Sequence, residues 1–530
     1  MKKLINITLA LAGLIFLITS CSKDLDTIPL DPDVTTAATV FDDPENYTLI
    51  LAKLYAGLAL SGQDGPAGNG DISGIDEGFG QYLRGYWYHQ ELPTDEAVIG
   101  WNDQTIKDFH WQSWGSSDVF IAAMYYRIFY QIAACNEFIR ETTDAKLNDR
   151  GVSGDLRTEI EFYRAEARFL RALSYWHAMD LFANVPFVTE EDEVGYFFPE
   201  QISRADLFEY IENELKAVED QLLDPIPGNE MYYGRATKAA AWALLAKLYL
   251  NAEVYIKQAK YNECITYCNK VIDAGYSLAT NYAEIFMADN GQNADVRNEV
   301  IFSVNFDGLR TTTYGGTDFI IHAAIGGDMT PLDYGVADGW GGLRTTSALV
   351  GKFPDPSGDT DKRAMFFTEG QELEIDDISL FNDGYAITKF TNIKSNGEQG
   401  SATDFVDTDF PMFRLADVYL MYAEATLRGG NGDAGMALTY VNMIRERAEA
   451  GTVQNIDLDF ILDERARELY WECHRRTDLV RYDYFSGSQY LWPWKGNVQA
   501  GIGTESKYDI FPIPADDLGA NPNLVQNPNY

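Results

Sequence analysis

The chain has little cysteine, little histidine and a deficit of positive charge. Five cysteines are spread over 530 residues. Cys264 and Cys268 lie four apart on one predicted helix face, without a second Cys/His pair at zinc-ligand spacing. Cys135, Cys264, Cys268 and Cys473 all sit inside apolar helical patterns and read as buried thiols. The five histidines are scattered, and no His-Glu-x-x-His, Gly-x-Ser-x-Gly or phosphate-loop motif is present. Lys and Arg number 41 against 81 Asp and Glu, for a formal net charge of −40. So acidic a surface excludes nucleic acid as a partner and argues against a strongly anionic polysaccharide. A neutral ligand is indifferent to this field.

Long apolar runs are also missing, with one exception at the start. Lys2 and Lys3 precede an apolar stretch from Leu4 to Ile18, which leads into Thr19-Ser20-Cys21. A short apolar core followed by small residues is a secretory signal. A small residue directly before cysteine is what bacterial lipidation requires. Residues 1–20 are therefore expected to be a cleaved signal peptide, Cys21 the lipidated residue, and 21–40 a polar tether. The run is shorter than a membrane span.

Aromatic residues are abundant: 10 Trp, 32 Tyr and 29 Phe. Apolar residues at helical spacing predict helices over 44–60, 119–141, 156–182, 203–222, 234–250, 260–274, 411–427 and 434–448. Ser203 is the expected N-cap of its helix. Alternating Ala and Tyr on paired helices resemble tetratricopeptide-type units. Residues 276–409 differ: they are rich in Gly, Thr, Asp and Asn, with a strand-like run at 299–304. The expected fold is mainly α, a tetratricopeptide-like helical scaffold over 41–530 with a loop-rich excursion of short strands at about 276–409. Loops on a rigid scaffold are where function concentrates.

Four stretches in order carry a family resemblance: the segment ending at Cys21; Phe410-Pro411-Met412-Phe413-Arg414-Leu415-Ala416-Asp417; Glu464-Arg465-Ala466-Arg467-Glu468 to Arg475-Arg476-Thr477-Asp478; and Pro512-Ile513-Pro514 with Asn521-Pro522-Asn523. Together they resemble the SusD/RagB family of outer-membrane glycan-binding lipoproteins. Within it the chain looks closest to the starch-binding founder, through Gly74-Ile75-Asp76-Glu77-Gly78, Glu91-Leu92-Pro93-Thr94-Asp95-Glu96, Tyr314-Gly315-Gly316, Asp338-Gly339-Trp340 and Tyr490-Leu491-Trp492-Pro493-Trp494.

The resemblance implies a cell-surface, lipid-anchored protein that captures a neutral α-glucan and passes it to a SusC-like TonB-dependent porin. It needs no cofactor and cuts nothing. Tyr314 and Trp340 match two aromatics of a glucan-stacking arc, and Asp76 and Arg84 match its polar contacts. The third arc position aligns with Ile99. Either Trp101, two residues on, fills it, or that stacking surface is lost. Asn102 or Gln104 matches a loop amide contact. Asp407 and Asp409 match part of a structural calcium site found in some relatives, with Gly291 where a third acidic ligand would stand.

These residue types suit a sugar. A glucose ring has an apolar face, which stacks on Trp or Tyr at roughly 25 cal/mol per Å² removed from water. Its hydroxyl edges need directional partners such as Asp and Arg. The competing readings are the same scaffold with another neutral polysaccharide, a glycoside hydrolase, and a porin cap that touches no glycan. A hydrolase needs two facing carboxylates, one with a raised pKa. Asp76 and Arg84 could also be a simple loop ion pair. Tyr86-Trp87-Tyr88 and Trp492-Pro493-Trp494 read as packing.

Overall fold

The computed structural model describes residues 40–530 apart from Tyr196, so the expected signal, Cys21 and nearly all of the tether lie outside the described residues. Residues 40–47 form a turn-rich lead-in, where the Phe41 and Tyr47 rings sit 5.3 Å apart. The compact body spans 48–530.

Its frame is a succession of packed helices. Val119–Glu141 packs on Gly154–Phe182, which packs on Arg204–Val218. Lys238–Leu250 packs on Tyr261–Asp273, which packs on Leu415–Leu427, and that helix packs on Ala434–Arg447. The order is that of stacked helical hairpins, as expected. Asp118 caps Val119–Glu141 by accepting from the Phe120 and Ile121 N–H groups, and Ser203 accepts from Asp206 N. In Lys238–Leu250, alanines at 239, 240, 241, 243 and 246 are all buried, so neighbouring helices approach from several sides.

Two of the expected helices start late. Residues 234–237 precede the helix that begins at Lys238. Pro411 to Arg414 are not helical. Phe410–Arg414 is a buried strand paired antiparallel with Val300–Val304, and the helix starts at Leu415. The ladder is irregular between Phe410 and Phe413. That is where Pro411, lacking an N–H, cannot contribute a rung.

The Glu/Arg-rich motif at 464–481 is buried ionic framework. Arg414 pairs with Glu299 at 2.9 Å and with Glu468 and Glu472 at 2.6 Å. Arg465 meets Asp478 at 2.7 Å, Arg475 meets Asp95 at 2.7 Å, and Arg476 meets Asp180 at 2.8 Å. Removing one partner of such a pair strands a buried charge, a loss of about 3–5 kcal/mol. Cys264 and Cys268 are buried free thiols with sulfurs 4.0 Å apart. Among the described residues no helix is long and apolar enough to cross a membrane.

Candidate functional site

Gln81 joins the two segments that build the site. Its side-chain oxygen accepts from Arg84 N at 2.6 Å, capping the helix Tyr82–Gln90. The same oxygen accepts from Gly316 N at 3.0 Å, at the start of the helix Gly316–Ala323. Gly316 has φ +56, and a Cβ there would run into the Phe306 ring, so the turn after Tyr314 requires glycine.

The other end of Gly316–Ala323 holds Trp340. The carbonyls of His322, Ala323 and Ile325 stand at and just past the end of this helix. They accept from Trp340 N at 2.7 Å, Gly342 N at 2.8 Å and Gly341 N at 2.8 Å. A Cβ on Gly342 would overlap the Trp101 indole, so this glycine lets the third ring approach. Trp101 Nε1 donates to the Trp340 carbonyl at 3.2 Å.

The three aromatics form one continuous surface. Tyr314 and Trp340 have ring centroids 6.2 Å apart, and Trp340 and Trp101 have theirs 6.4 Å apart. Tyr314 is 39 % exposed, and both tryptophans are half-buried. Ile99 is buried in a two-residue strand, Val98–Ile99, paired with Leu343–Arg344. That pairing takes position 99 into the core and leaves Trp101 to occupy the end of the aromatic row.

The polar neighbours divide into exposed and supporting groups. Asp76 is exposed and accepts from Gly78 N at 3.0 Å. Arg84 is only 4 % exposed. It donates to the Tyr314 carbonyl and to the Tyr88 hydroxyl, both at 2.6 Å, and its guanidinium lies 4.4 Å from the ring centres of Phe79 and Phe319. Burial pushes the Tyr88 hydroxyl up to about 12, with Arg84 opposing, so it stays protonated. Asp76 and Arg84 form no ion pair with each other among the described residues, yet both flank Gly78 beside Tyr314. Asn102 and Gln104 are exposed on the loop after Trp101, and Asn102 accepts from Lys107 Nζ at 2.6 Å.

Beneath the row lies a pair that sequence reasoning missed. His322 stacks under Trp340, with centroids 4.8 Å apart and planes 20° from parallel. Its Nε2 is 3.5 Å from Asp318 Oδ1, and its Nδ1 is 2.9 Å from the Asp338 carbonyl. Burial holds Asp318 well above the usual carboxylate range, with Arg84 opposing, and holds His322 below its ordinary value, with Asp338 opposing. Both therefore favour their neutral forms, and Arg84, under Tyr314, is the cation among the groups beneath the row. Phe405, 5.6 Å from the Tyr314 ring, was also missed. The one available signal was the glycine run around Trp340.

Asp407 and Asp409 line one cavity, and each carboxylate is taken up by protein donors. Asp407 accepts from Gly308 N and Ser401, and Asp409 from Phe306 N. Gly291 supplies no ligand, and a Cβ there would overlap an Asp409 oxygen. Burial lifts Asp409 to about 7. Among the described residues no three His, Cys, Asp or Glu converge as a metal site.

Two further carboxylates with raised pKa, Glu91 and Glu96, are essentially unexposed. They brace the turn at 471–474, accepting from Cys473 N, His474 N and Trp471 N.

Residues 375–530 match the model of the SusD family, and residues 83–250 match a family model described as starch-binding, associating with outer membrane. The chain is 35 % identical to Starch-binding protein SusD of Bacteroides thetaiotaomicron, covering 97 % of this chain and 96 % of that protein. Among solved structures, surface glycan-binding protein A from Bacteroides fluxus superposes with a TM-score of 0.70 at 18 % identity, over 92 % of this chain and 99 % of that one. A laminarin binding SusD-like protein gives 0.68 at 22 % identity, over the same shares. At these identities the two structures speak to the fold alone, a mainly α scaffold. The named relatives are binding proteins, and the relative that spans nearly the whole chain is well above the similarity that fold alone produces: the chain belongs to the SusD family.

Proposed function

We propose that this protein captures a neutral α-glucan at the cell surface, tethered by a lipid on Cys21, and passes it without cleavage to a TonB-dependent porin in the outer membrane. The observation that carries the reading is the row of Tyr314, Trp340 and Trp101, with His322 stacked on Trp340. A row of rings tilted to one another suits the apolar faces of successive sugars. Asp76 at its edge accepts from hydroxyls, and Asn102 extends the polar rim. Arg84 supports the row from below by fixing Tyr314. Capture at a tether, with handover rather than turnover, agrees with relatives named as binding proteins. The starch-binding relative favours an α-glucan over other neutral polysaccharides.

Electrophoresis of the pure protein in gels containing amylopectin, laminarin or another neutral polysaccharide tests this. The amylopectin gel should retard it, and Trp340→Ala should abolish most of the shift. Unretarded migration in amylopectin with retardation in laminarin would move the ligand to another neutral glycan. No retardation in any gel would leave only a porin cap, and released oligosaccharide would make it a hydrolase.

A further inference from the structure

A second concave surface lies beside the aromatic row. It is a groove of about 470 Å³ between the helices Asn46–Ala59 and Val119–Glu141, closed by the hairpin at 62–70 and the loop at 310–312. Its volume is within the range of ligand sites, and its lining has the usual composition of one. Ala52, Ala56, Leu60 and Ala134 give an apolar floor. Tyr130 supplies an aromatic ring, and its hydroxyl donates to Asp71 at 3.0 Å. Asp71 is held in turn by Arg127 at 3.0 Å. An aromatic beside a fixed carboxylate is the same chemistry the aromatic row offers.

The two surfaces share both of their walls. One is the segment 61–78, which has Asp71 in the groove and Asp76 beside Tyr314. The other is the segment 310–314, which has Arg310 and Thr312 in the groove and Tyr314 in the row. Between them the buried hydroxyls of Ser61 and Thr313 meet at 3.4 Å, tying the walls together. These two shared segments join the row to the groove.

We infer that the groove is an extension subsite that takes the continuing end of the glucan held on Trp101, Trp340 and Tyr314, so that long chains bind more tightly than short ones. This rests on the glucan reading and adds the chain length the site selects. Asp71, the carboxylate beside Tyr130 in the groove, is already paired with Arg127, and the other charged side chains of the lining, Lys53, Asp64 and Arg310, stand at its rim as polar partners for hydroxyls.

Calorimetric titration with maltotriose and with a long linear maltodextrin tests it, on the wild type and on Ala134→Trp and Ala52→Trp. Each variant fills the groove from a different helix without touching the aromatic row. The wild type should prefer the maltodextrin by roughly tenfold per chain end, the size of one added stacking contact. Both variants should keep wild-type affinity for maltotriose and lose that preference. Variants that keep the preference overturn the subsite while leaving the glucan reading intact. Loss of maltotriose binding in both variants overturns it too, because the groove would then be support for the row. A wild type that binds neither sugar fails the glucan reading and the subsite together.

Discussion

The indole of Trp340 lies on the imidazole of His322, with centroids 4.8 Å apart and planes 20° from parallel. The exposed face of the tryptophan is therefore presented by a buried histidine whose Nδ1 is held at Asp338, 2.9 Å from its carbonyl and 3.1 Å from its carboxylate. Trp340→Ala removes the central stacking surface and should lower glucan affinity by about 2 kcal/mol or more, roughly thirtyfold. His322→Ala should leave the indole in place but loosely held, with a smaller loss of about threefold to tenfold. Titration with a maltooligosaccharide separates the two; equal losses would mean that His322 touches the sugar itself.

Gly342 is the position most sensitive to a single methyl group. In Gly342→Ala the added carbon overlaps the Trp101 indole, which must move. Small-to-large changes of this kind destabilise by about 1–3 kcal/mol. The expected result is a shifted tryptophan emission spectrum with weaker glucan binding. An unchanged spectrum with unchanged affinity would show that Trp101 has room to spare and does not belong to the row.

Asp76 and Arg84 should separate cleanly. Asp76 is exposed and Arg84 is almost buried under Tyr314. Asp76→Asn should weaken binding and leave the melting temperature nearly unchanged. Arg84→Met leaves the Tyr314 carbonyl without its donor, a stability loss of about 1–3 kcal/mol, and should weaken binding as well. Thermal melts beside titrations distinguish these outcomes. An Arg84→Met protein of full stability would contradict its supporting role.

The protein should be acid-labile. Burial holds His89, His110 and His177 at about 3, below the usual 6.5. The unfolded chain binds these protons first as pH falls, so their contribution to stability drops from about pH 6.5 downward. Burial pushes Glu424, Glu464 and Glu468 up, but Arg481, Arg363 and Arg447 beside them overcome it and hold all three at about 2. Their contribution is present above the unfolded value of 4.5 and is lost as pH falls toward 2. Glu91, lifted by burial to about 7, acts in the opposite sense between 4.5 and 7. Asp409, also lifted by burial to about 7, and Glu96 and Asp318, held well above the carboxylate range by burial, act with Glu91, so gains and losses oppose each other between pH 7 and pH 5. Below about pH 4.5 the histidine and Arg-paired glutamate losses prevail, and melting temperature should fall steeply from about pH 4.5 to about pH 3. A rise over that interval would contradict the burial of the neutral imidazoles.

The helices were legible in the sequence because their signal is local. Val119–Glu141 begins and ends where its apolar spacing does, and Ser203 caps as expected. The strand Phe410–Arg414 was not legible, because its apolar residues fit a helix equally well and only its distant partner Val300–Val304 decides. The same reason hides part of the site. Ile99 and Trp101 could not be told apart until the pairing of Val98–Ile99 with Leu343–Arg344 buried the first and left the second outside. Tyr314, Trp340, Asp76 and Arg84 were reached through family resemblance, and the structure places them side by side. His322 gave no sign, since a lone histidine in an apolar helix reads as core.

The most direct measurement is a crystal structure of the protein with a linear maltooligosaccharide. The account predicts sugar rings lying on Tyr314, Trp340 and Trp101, with a hydroxyl at Asp76 and an unbroken glycosidic chain. Sugar bound elsewhere, with this row bare, would contradict it.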